Sequence, residues 1–157
     1  MFQSVELVLK FVVRGSEFGR VPRRSGYLDK LGDLGRAAEY VFNFEPGNSL
    51  RQDEVREVLS EEGAIGVIEV FTKQILQASD PIDYEKYREA VLRTIELTGQ
   101  KGKKLFRPIR IAITALASGP ELDQLIPVLE EGSQLELPSR VLGVKERVKL
   151  VSKHLDL

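Results

Sequence analysis

The 157-residue sequence contains no cysteine and only one histidine. Without cysteine the chain can form no disulfide, no thiolate metal site and no cysteine nucleophile, and this composition is typical of a reducing cytosol. The single histidine, His154, stands close to the C-terminal Leu157, where we expect a solvated side chain rather than a catalyst or ligand. Transition-metal binding would depend on carboxylates alone, so we expect neither a metal site nor a cofactor in this chain.

Long apolar runs are also missing. No stretch approaches the roughly 20 residues that a membrane-spanning helix needs. The first residues do not resemble a secretory signal, because Glu6 and Lys10 interrupt the apolar run and no basic stretch precedes it. We therefore expect a cytoplasmic protein without a membrane partner.

Recognisable catalytic motifs are absent as well. The stretch GQKGKK has two glycines but lacks the spacing and the preceding strand of a phosphate-binding loop. The paired carboxylates Glu61–Glu62 and Glu130–Glu131 lie beside glycines, and we interpret them as solvated helix ends. We expect no catalytic residue in this chain.

What the sequence does contain is a strong segregation of charge. The net charge is −1, yet residues 41–98 hold 6 Lys or Arg against 12 Asp or Glu, while residues 99–117 hold five cations and no acid. A concentrated basic segment in a nearly neutral chain permits a local site for a polyanion without general stickiness to nucleic acid.

Helical periodicity dominates the chain, and no segment alternates convincingly as a strand, so the predicted fold class is all-α. Start signals come from capping boxes at Ser49 and Ser118 and from Asp80 followed by Pro81, while Gly99 is a stop signal. Pro108 is expected near the start of its helix. The predicted helices cover residues 28–42, 50–59, 64–77, 81–98, a segment from about 105–107 onwards, 118–129 and the end of 139–155, while Val5–Val13 is either a helix or a strand.

Two interpretations of the basic segment Lys101–Arg110 remain open on charge alone. One is a solvated loop and helix face. The other is an edge that contacts phosphates, where each cation neutralises backbone charge and releases counterions.

The order of residues in and after this segment resembles the C-terminal anticodon-binding region of bacterial glutamyl-tRNA synthetases. That family carries a lysine- and glycine-containing stretch, then Pro-Leu-Arg, Ala-Leu-Thr-Gly, a proline-containing turn and Leu-Leu-Gly-x-x-Arg-Val. The corresponding residues here are Pro108-Ile109-Arg110, Ala112-Ile113-Thr114, Ser118-Gly119-Pro120-Glu121-Leu122 and Leu142-Gly143-Val144-Lys145-Glu146-Arg147-Val148. The match is specific over residues 99–153 and looser over residues 28–98.

This resemblance implies an all-α anticodon reader of the helical-bundle type that grips the anticodon loop of a glutamate tRNA. It implies an unplaced segment at 1–27, a first helical subdomain at 28–98 and a second one at 99–157 that carries the anticodon-binding motif. Arg110 is the implied base contact, since a guanidinium can hydrogen-bond or stack on an unstacked loop base. The predicted RNA-binding residues are Lys101, Lys103, Lys104, Arg107, Arg110, Thr114, Ser118, Gly119, Pro120 and Leu122.

Some of these residues also have a purely structural interpretation. Thr114 could bond a carbonyl one turn back on its helix. Five apolar residues of the segment are expected to be core rather than ligand contacts: Leu105, Phe106, Ile109, Ile113 and Leu116.

The sequence departs from the family pattern at several points. Ala115 stands where the family has glycine, Asp123 replaces the aromatic residue after the turn, and residues 128–140 resemble an insertion. The catalytic signatures of the synthetase are absent, so any ATP-dependent ligase activity would belong to a larger protein or to a synthetase catalytic domain acting as a partner. Three alternatives stay open: an anticodon-binding part of a synthetase, a free-standing relative, or a helical protein–protein interaction module that has lost RNA binding.

Overall fold

The computed structural model describes residues 38–157, and this part of the chain is helical without any strand. The expected all-α class is therefore confirmed over these residues. Residues 38–42 are helical, and seven helices follow them. Their bounds are α1 Pro46–Ser49, α2 Asp53–Ser60, α3 Ala64–Gln77, α4 Tyr84–Thr98, α5 Lys103–Thr114, α6 Leu122–Ser133 and α7 Val144–His154. The predicted element Val5–Val13 and most of segment 28–42 lie outside the described residues.

The core is organised around α3. This helix packs against α4, α5 and α7, and α5 packs against α7 in turn. Apolar residues of α3 recur at helical spacing, so Val67, Ile68, Phe71 and Ile75 are all fully buried. One hydrophobic cluster runs from Val41 to Val148. The division into two subdomains at residue 98 stays a prediction.

Several helix starts differ from their predicted positions. Helix α2 begins at Asp53 rather than Leu50, because Pro46–Ser49 forms a helical turn of its own and Leu50 is its C-cap. The cap of α4 is Asp83 rather than Asp80, and its carboxylate accepts a hydrogen bond from the Lys86 N–H at 2.9 Å. The end of α4 is as predicted, since Gly99 adopts a left-handed conformation with φ +68°.

Helix α5 begins at Lys103, before the predicted start, and contains Pro108 well inside it. A proline has no N–H, so the carbonyl one turn earlier, on Lys104, loses its helical partner. Lys104 is exposed to solvent, which can hydrate that carbonyl, whereas Pro108 itself is buried in the core. The rule that a proline belongs in the first turn of a helix therefore predicts a start that is later than the true one at Lys103.

Helix α6 begins at Leu122 with Glu121 as its N-cap, so the capping box predicted at Ser118 is wrong. Gly119 adopts φ +154°, which interrupts helical geometry between Ser118 and Glu121. The helix also continues past its predicted end at Leu129 to Ser133. Between residues 38 and 157, no helix has both the length and the apolar content needed to span a membrane.

Candidate nucleic-acid interface

Helix α5 presents a basic face to solvent. Of its twelve residues, seven are buried and five reach the surface, and four of those five are cations. We call Lys103, Lys104, Phe106, Arg107 and Arg110 the basic face of α5. Because residues three, four and seven apart share one side of a helix, Lys103, Phe106, Arg107 and Arg110 form a stripe about 10 Å long.

The lysines at the start of this stripe do not stabilise the helix on which they lie. The first turn of α5 contains no acidic residue, and Lys101, Lys103 and Lys104 are all exposed around it. Cations at a helix N-terminus are opposed by the positive end of the helix dipole. Three such lysines therefore weaken the helix slightly and create a positive region suited to an anion.

Arg107 has a partner within the protein. Its Nη1 lies 3.5 Å from Oε1 of Glu61, and the two side chains are 33% and 35% exposed. An ion pair of this length and exposure is weak. Glu61 is the C-cap of α2, which is the predicted helix end, and it also contacts the basic face of α5.

Arg110 is fixed at one end by the turn that follows its helix. Its Nη1 donates a hydrogen bond to the carbonyl of Pro120. The Thr114 hydroxyl donates to the Arg110 carbonyl at 2.8 Å and accepts from the Leu116 N–H at 3.2 Å. The predicted structural role of Thr114 is thereby confirmed. Its side chain is buried, so it holds the end of α5 in place beneath Arg110.

The turn between α5 and α6 depends on two unusual backbone conformations. Ala115 is left-handed with φ +59° at the C-cap of α5, at the position where the resemblance expects glycine. Gly119 has φ +154°, and a Cβ atom there would lie 2.9 Å from Cε1 of Tyr40. The turn thus packs against residue 40 and brings Pro120 to Arg110, while Ser118 and Gly119 are exposed.

A cleft of about 240 Å³ lies around Arg110, and we call it the Arg110 cleft. Two of its aromatic side chains are well exposed, Tyr84 at 47% and Phe106 at 46%. The prediction that Phe106 belongs to the core is therefore wrong, whereas Leu105, Ile109 and Ile113 are buried as expected. The residues lining the Arg110 cleft are Tyr84, Tyr87, Phe106, Arg110, Glu121, Leu122 and Asp123.

Sequence reasoning missed both exposed aromatic residues of the cleft. Phe106 carried a usable signal, because it lies four residues before Arg110 and so shares its helix face. Tyr84 is the first residue of α4, and it reaches the Arg110 cleft because α4 packs against α3 and α6. No local pattern reports that packing.

The floor of the cleft is the buried Tyr87. Burial raises the pKa of its phenol to about 12, the positive charge of Arg110 acts in the opposite direction, and the nearby Asp123 and Glu121 add to the increase. Arg110, Glu121 and Asp123 line the same cleft as Tyr87, so a cation and two carboxylates converge on this place.

The two sides of the cleft are held together by Glu130. Its Oε2 accepts a hydrogen bond from the Ile82 N–H at 2.8 Å, and its Oε1 accepts one from the Val144 N–H at 2.7 Å. Lys145 and Asp80 add an ion pair at 3.3 Å between the same segments. Glu130 is thus not a solvated helix end, as the sequence suggested, but ties α6 to the loop that leads into Tyr84.

The predicted site residues therefore fall into three groups. Arg110 and Leu122 line the cleft, although Leu122 is almost completely buried, and Pro120 bonds Arg110 beside it. The cations Lys103, Lys104 and Arg107 continue from it along α5, with Lys101 just before the helix. Thr114 lies beneath the surface, and Ser118 and Gly119 lie on the exposed turn.

Comparison with known proteins identifies the family. A model of the anticodon binding domain matches residues 22–135, which is most of the chain. The chain belongs to the anticodon-binding domain family. The match includes α4, α5, the turn and α6, and therefore every residue of the Arg110 cleft. It also covers residues 28–98, over which the resemblance to the synthetases is looser.

Curated relatives of this anticodon-binding domain carry the name glutamate–tRNA ligase, which confirms the resemblance inferred from the sequence. The chain is 38% identical to the protein of Geobacillus stearothermophilus over 94 residues, covering 60% of this chain and 19% of that protein. It is 33% identical to the protein of Alkaliphilus metalliredigens over 123 residues, covering 77% of this chain and 23% of that protein. No solved structure matches the chain significantly. The chain spans about a fifth of the length of these relatives.

Proposed function

We propose that this chain binds the anticodon loop of a glutamate tRNA, as the non-catalytic anticodon-binding part of a glutamate–tRNA ligase or as a free-standing relative of one. The observation that carries the proposal is the Arg110 cleft at the end of the basic face of α5, in a chain of the anticodon-binding family. If the chain is part of a complete ligase, the ATP-dependent reaction belongs to the catalytic domain of that protein.

Within this proposal Arg110 contacts an anticodon base. The bond to Pro120 uses one of its five N–H donors and fixes the guanidinium, so the remaining donors face a ligand with little conformational freedom left to lose. Unstacked loop bases offer hydrogen-bonding edges that match such a planar group. Thr114 and Leu122, being buried, support this contact from below.

Tyr84 and Phe106 provide the stacking surface. Exposed aromatic rings in a cleft are energetically unfavourable in water and favourable against a base, because base–aromatic stacking contributes about 1–3 kcal/mol per base. They take over the role of the aromatic residue that the family has after the turn, where this chain has Asp123. The departure at position 123 therefore does not remove stacking from the site.

Lys101, Lys103, Lys104 and Arg107 contact phosphates. Lys103 and Arg107 share the stripe with Arg110, and Lys101 and Lys104 are exposed around its far end, so the backbone of an RNA whose base lies in the cleft would meet them. Phosphate contacts position the RNA without reading its sequence. Ser118 and Gly119 are exposed on the turn beside Pro120 and are accessible to the same RNA.

A binding titration tests the proposal. We expect the chain to bind glutamate tRNA with an affinity that falls steeply with salt, and to bind tRNAs with altered anticodons less tightly. Lys103→Ala should weaken binding to all of these tRNAs equally and reduce the salt dependence by about one released counterion. Lys73→Ala, which removes an exposed cation from α3, is the matched control and should have little effect.

Two outcomes would contradict the proposal. Equal affinity for tRNAs with every anticodon would show that the chain binds RNA without recognising the anticodon bases. An absence of tRNA binding at low salt would favour the alternative function, a helical protein–protein interaction module.

A further inference from the structure

Tyr87 is a buried side chain whose one polar group has no partner within the described part of the protein. The residue is 7% exposed, and its ring packs edge-on against Phe71 with the two centroids 6.2 Å apart. Between residues 38 and 157, no group forms a hydrogen bond with its hydroxyl. This is unusual, because the hydroxyl of a buried tyrosine generally finds a partner when the protein folds. The fold thus uses the ring of Tyr87 but not its hydroxyl.

The hydroxyl of Tyr87 reaches solvent at the Arg110 cleft. In residues 38–157, every completely buried side-chain oxygen or nitrogen atom has a hydrogen-bond partner, so a hydroxyl without one has to be accessible. Tyr87 lines the Arg110 cleft. The charged groups that act on its phenol, Arg110, Asp123 and Glu121, all line the same cleft. The small accessible part of Tyr87 is therefore the hydroxyl at the floor of the cleft.

The charges around this hydroxyl favour a base over a phosphate as its partner. The cleft is lined by one cation, Arg110, and by two exposed carboxylates, Glu121 and Asp123. A phosphodiester would meet more negative than positive charge there, whereas a base offers polar edge groups without a net charge. The other cations of the basic face of α5 lie outside the cleft.

A base that enters the cleft covers its floor and displaces water from the Tyr87 hydroxyl. A hydroxyl that loses water without gaining another partner is unfavourable. Since it can both donate and accept hydrogen bonds, it suits any base edge that places a polar atom in front of it. The ring is already fixed by packing, so little conformational freedom is lost when the bond forms.

We propose that Tyr87 is a recognition residue of the Arg110 cleft, whose hydroxyl forms a hydrogen bond with the edge of the base bound there. The inference rests on the proposed function and adds a third kind of contact to the same site, beside the guanidinium of Arg110 and the stacking rings of Tyr84 and Phe106. It assigns to Tyr87 a role in holding a base, and not in choosing between bases.

Tyr87 also belongs to the hydrophobic core, and a purely structural role predicts a different outcome. Tyr87→Phe keeps the ring and removes only the hydroxyl. Because this hydroxyl has no partner in residues 38–157, its removal should not lower the free energy of unfolding at neutral pH. If Tyr87 only packed in the core, the affinity for RNA would be unchanged as well.

The test measures the affinity of wild type and Tyr87→Phe for an RNA hairpin that carries the anticodon loop of glutamate tRNA. We expect the Kd to be about fivefold higher in Tyr87→Phe. A second set of hairpins lacks one loop base at a time and keeps the sugar–phosphate backbone intact. At one loop position, removal of the base should make the two proteins bind equally, because the partner of the hydroxyl is then absent.

Tyr40→Phe is the matched control. Tyr40 is partly buried, packs against Gly119 and does not line the cleft. Any change in the Kd of this variant should be the same for the intact hairpin and for every hairpin that lacks a base. Urea denaturation at neutral pH verifies that each variant is as stable as the wild type.

The outcomes separate this inference from the proposed function. Equal Kd values of wild type and Tyr87→Phe for the intact hairpin overturn the inference. A loss of affinity in Tyr87→Phe that persists in every base-lacking hairpin also overturns it, since the hydroxyl would then contact the RNA backbone or act through the fold. In both cases anticodon-loop binding itself stands. A wild-type protein that binds no hairpin at low salt overturns this inference and the proposed function together.

Discussion

Two arginines of this chain, Arg147 and Arg110, both lie in stretches that resemble the family, yet their surroundings differ completely. Arg147 is 1% exposed; its Nε donates to the Leu142 carbonyl and its Nη2 to the Val41 carbonyl, both at 2.9 Å. Its Cζ lies 4.5 Å from the centroid of the Phe44 ring. Arg110 is only half-buried, and the cleft beside it is open to solvent.

This comparison shows that one residue type has two physical roles in the domain. Arg147 is desolvated, which lowers the pKa of its guanidinium to about 10, and its hydrogen bonds join α7 to the segment that precedes α1. Arg110 bonds the Pro120 carbonyl and borders an open cleft. A sequence motif gives both arginines equal weight, whereas burial assigns Arg147 to stability and leaves Arg110 accessible, as the proposed base contact requires.

The largest expected effect is the loss of stability in Arg147→Ala. The substitution leaves a cavity and two carbonyls without their partner, so we expect the free energy of unfolding to fall by about 3 kcal/mol. Urea denaturation followed by circular dichroism measures it. Arg140→Ala is the matched control, since Arg140 is exposed and its ion pair with Glu146 contributes less than about 1 kcal/mol. Similar losses of unfolding free energy in both variants would show that the buried Arg147 contributes no more to stability than the exposed Arg140.

The alkaline pH dependence of stability reports on the floor of the Arg110 cleft. Tyr87 has a pKa of about 12 in the folded protein against 10.0 in a free side chain. Because the folded state retains a proton that the unfolded state releases, stability should fall as pH rises from 10 to 12, by about 2 kcal/mol. Tyr87→Phe should lack this loss of stability. In both proteins the lowered pKa of Arg147 makes stability rise with pH, because the unfolded state keeps a proton that the folded state releases, and this partly offsets the effect of Tyr87 in the wild type.

Guanidinium denaturation at several alkaline pH values measures this difference, and Tyr84→Phe serves as the control. If the free energy of unfolding depends on pH in the same way for wild type and Tyr87→Phe, Tyr87 is not desolvated. That result would contradict the burial of Tyr87 at the base of the cleft.

A smaller effect is expected on binding from Phe106→Ala. Loss of one stacking surface should raise the Kd for glutamate tRNA about tenfold. The free energy of unfolding should hardly change, because the ring is 46% exposed. Leu92→Ala on α4 is the control, since Leu92 is 52% exposed and lies outside the cleft. If both variants bind equally well, Phe106 is not a stacking residue.

The smallest expected effect concerns Glu61, whose weak ion pair with Arg107 would compete with the proposed phosphate contact of that arginine. Glu61→Gln should release the guanidinium and lower the Kd about twofold. Glu57→Gln removes the same charge from an exposed position on the same helix and should change the Kd less. If the Kd falls by the same factor in both variants, net charge alone explains the change and the ion pair with Arg107 has no effect on binding.

Much of this organisation follows from the sequence alone. Apolar residues at helical spacing identify α3 over its whole length, and the order of motifs around Arg110 indicates the family. The starts of α5 and α6 were misplaced because a buried proline and a glycine packed against Tyr40 overrode the local signals. Glu130 and Tyr84 owe their positions to contacts with residues far along the chain, and such contacts cannot be inferred from local sequence patterns.

The central claim is that Arg110 reads an anticodon base while remaining dispensable for the fold. The most direct test is the ratio of affinities for glutamate tRNA and for the same tRNA with an altered anticodon, measured for wild type and for Arg110→Ala. We predict that the ratio falls towards one in Arg110→Ala, with weaker binding and an intact helical circular-dichroism spectrum. An unchanged ratio in a folded Arg110→Ala protein would contradict the account.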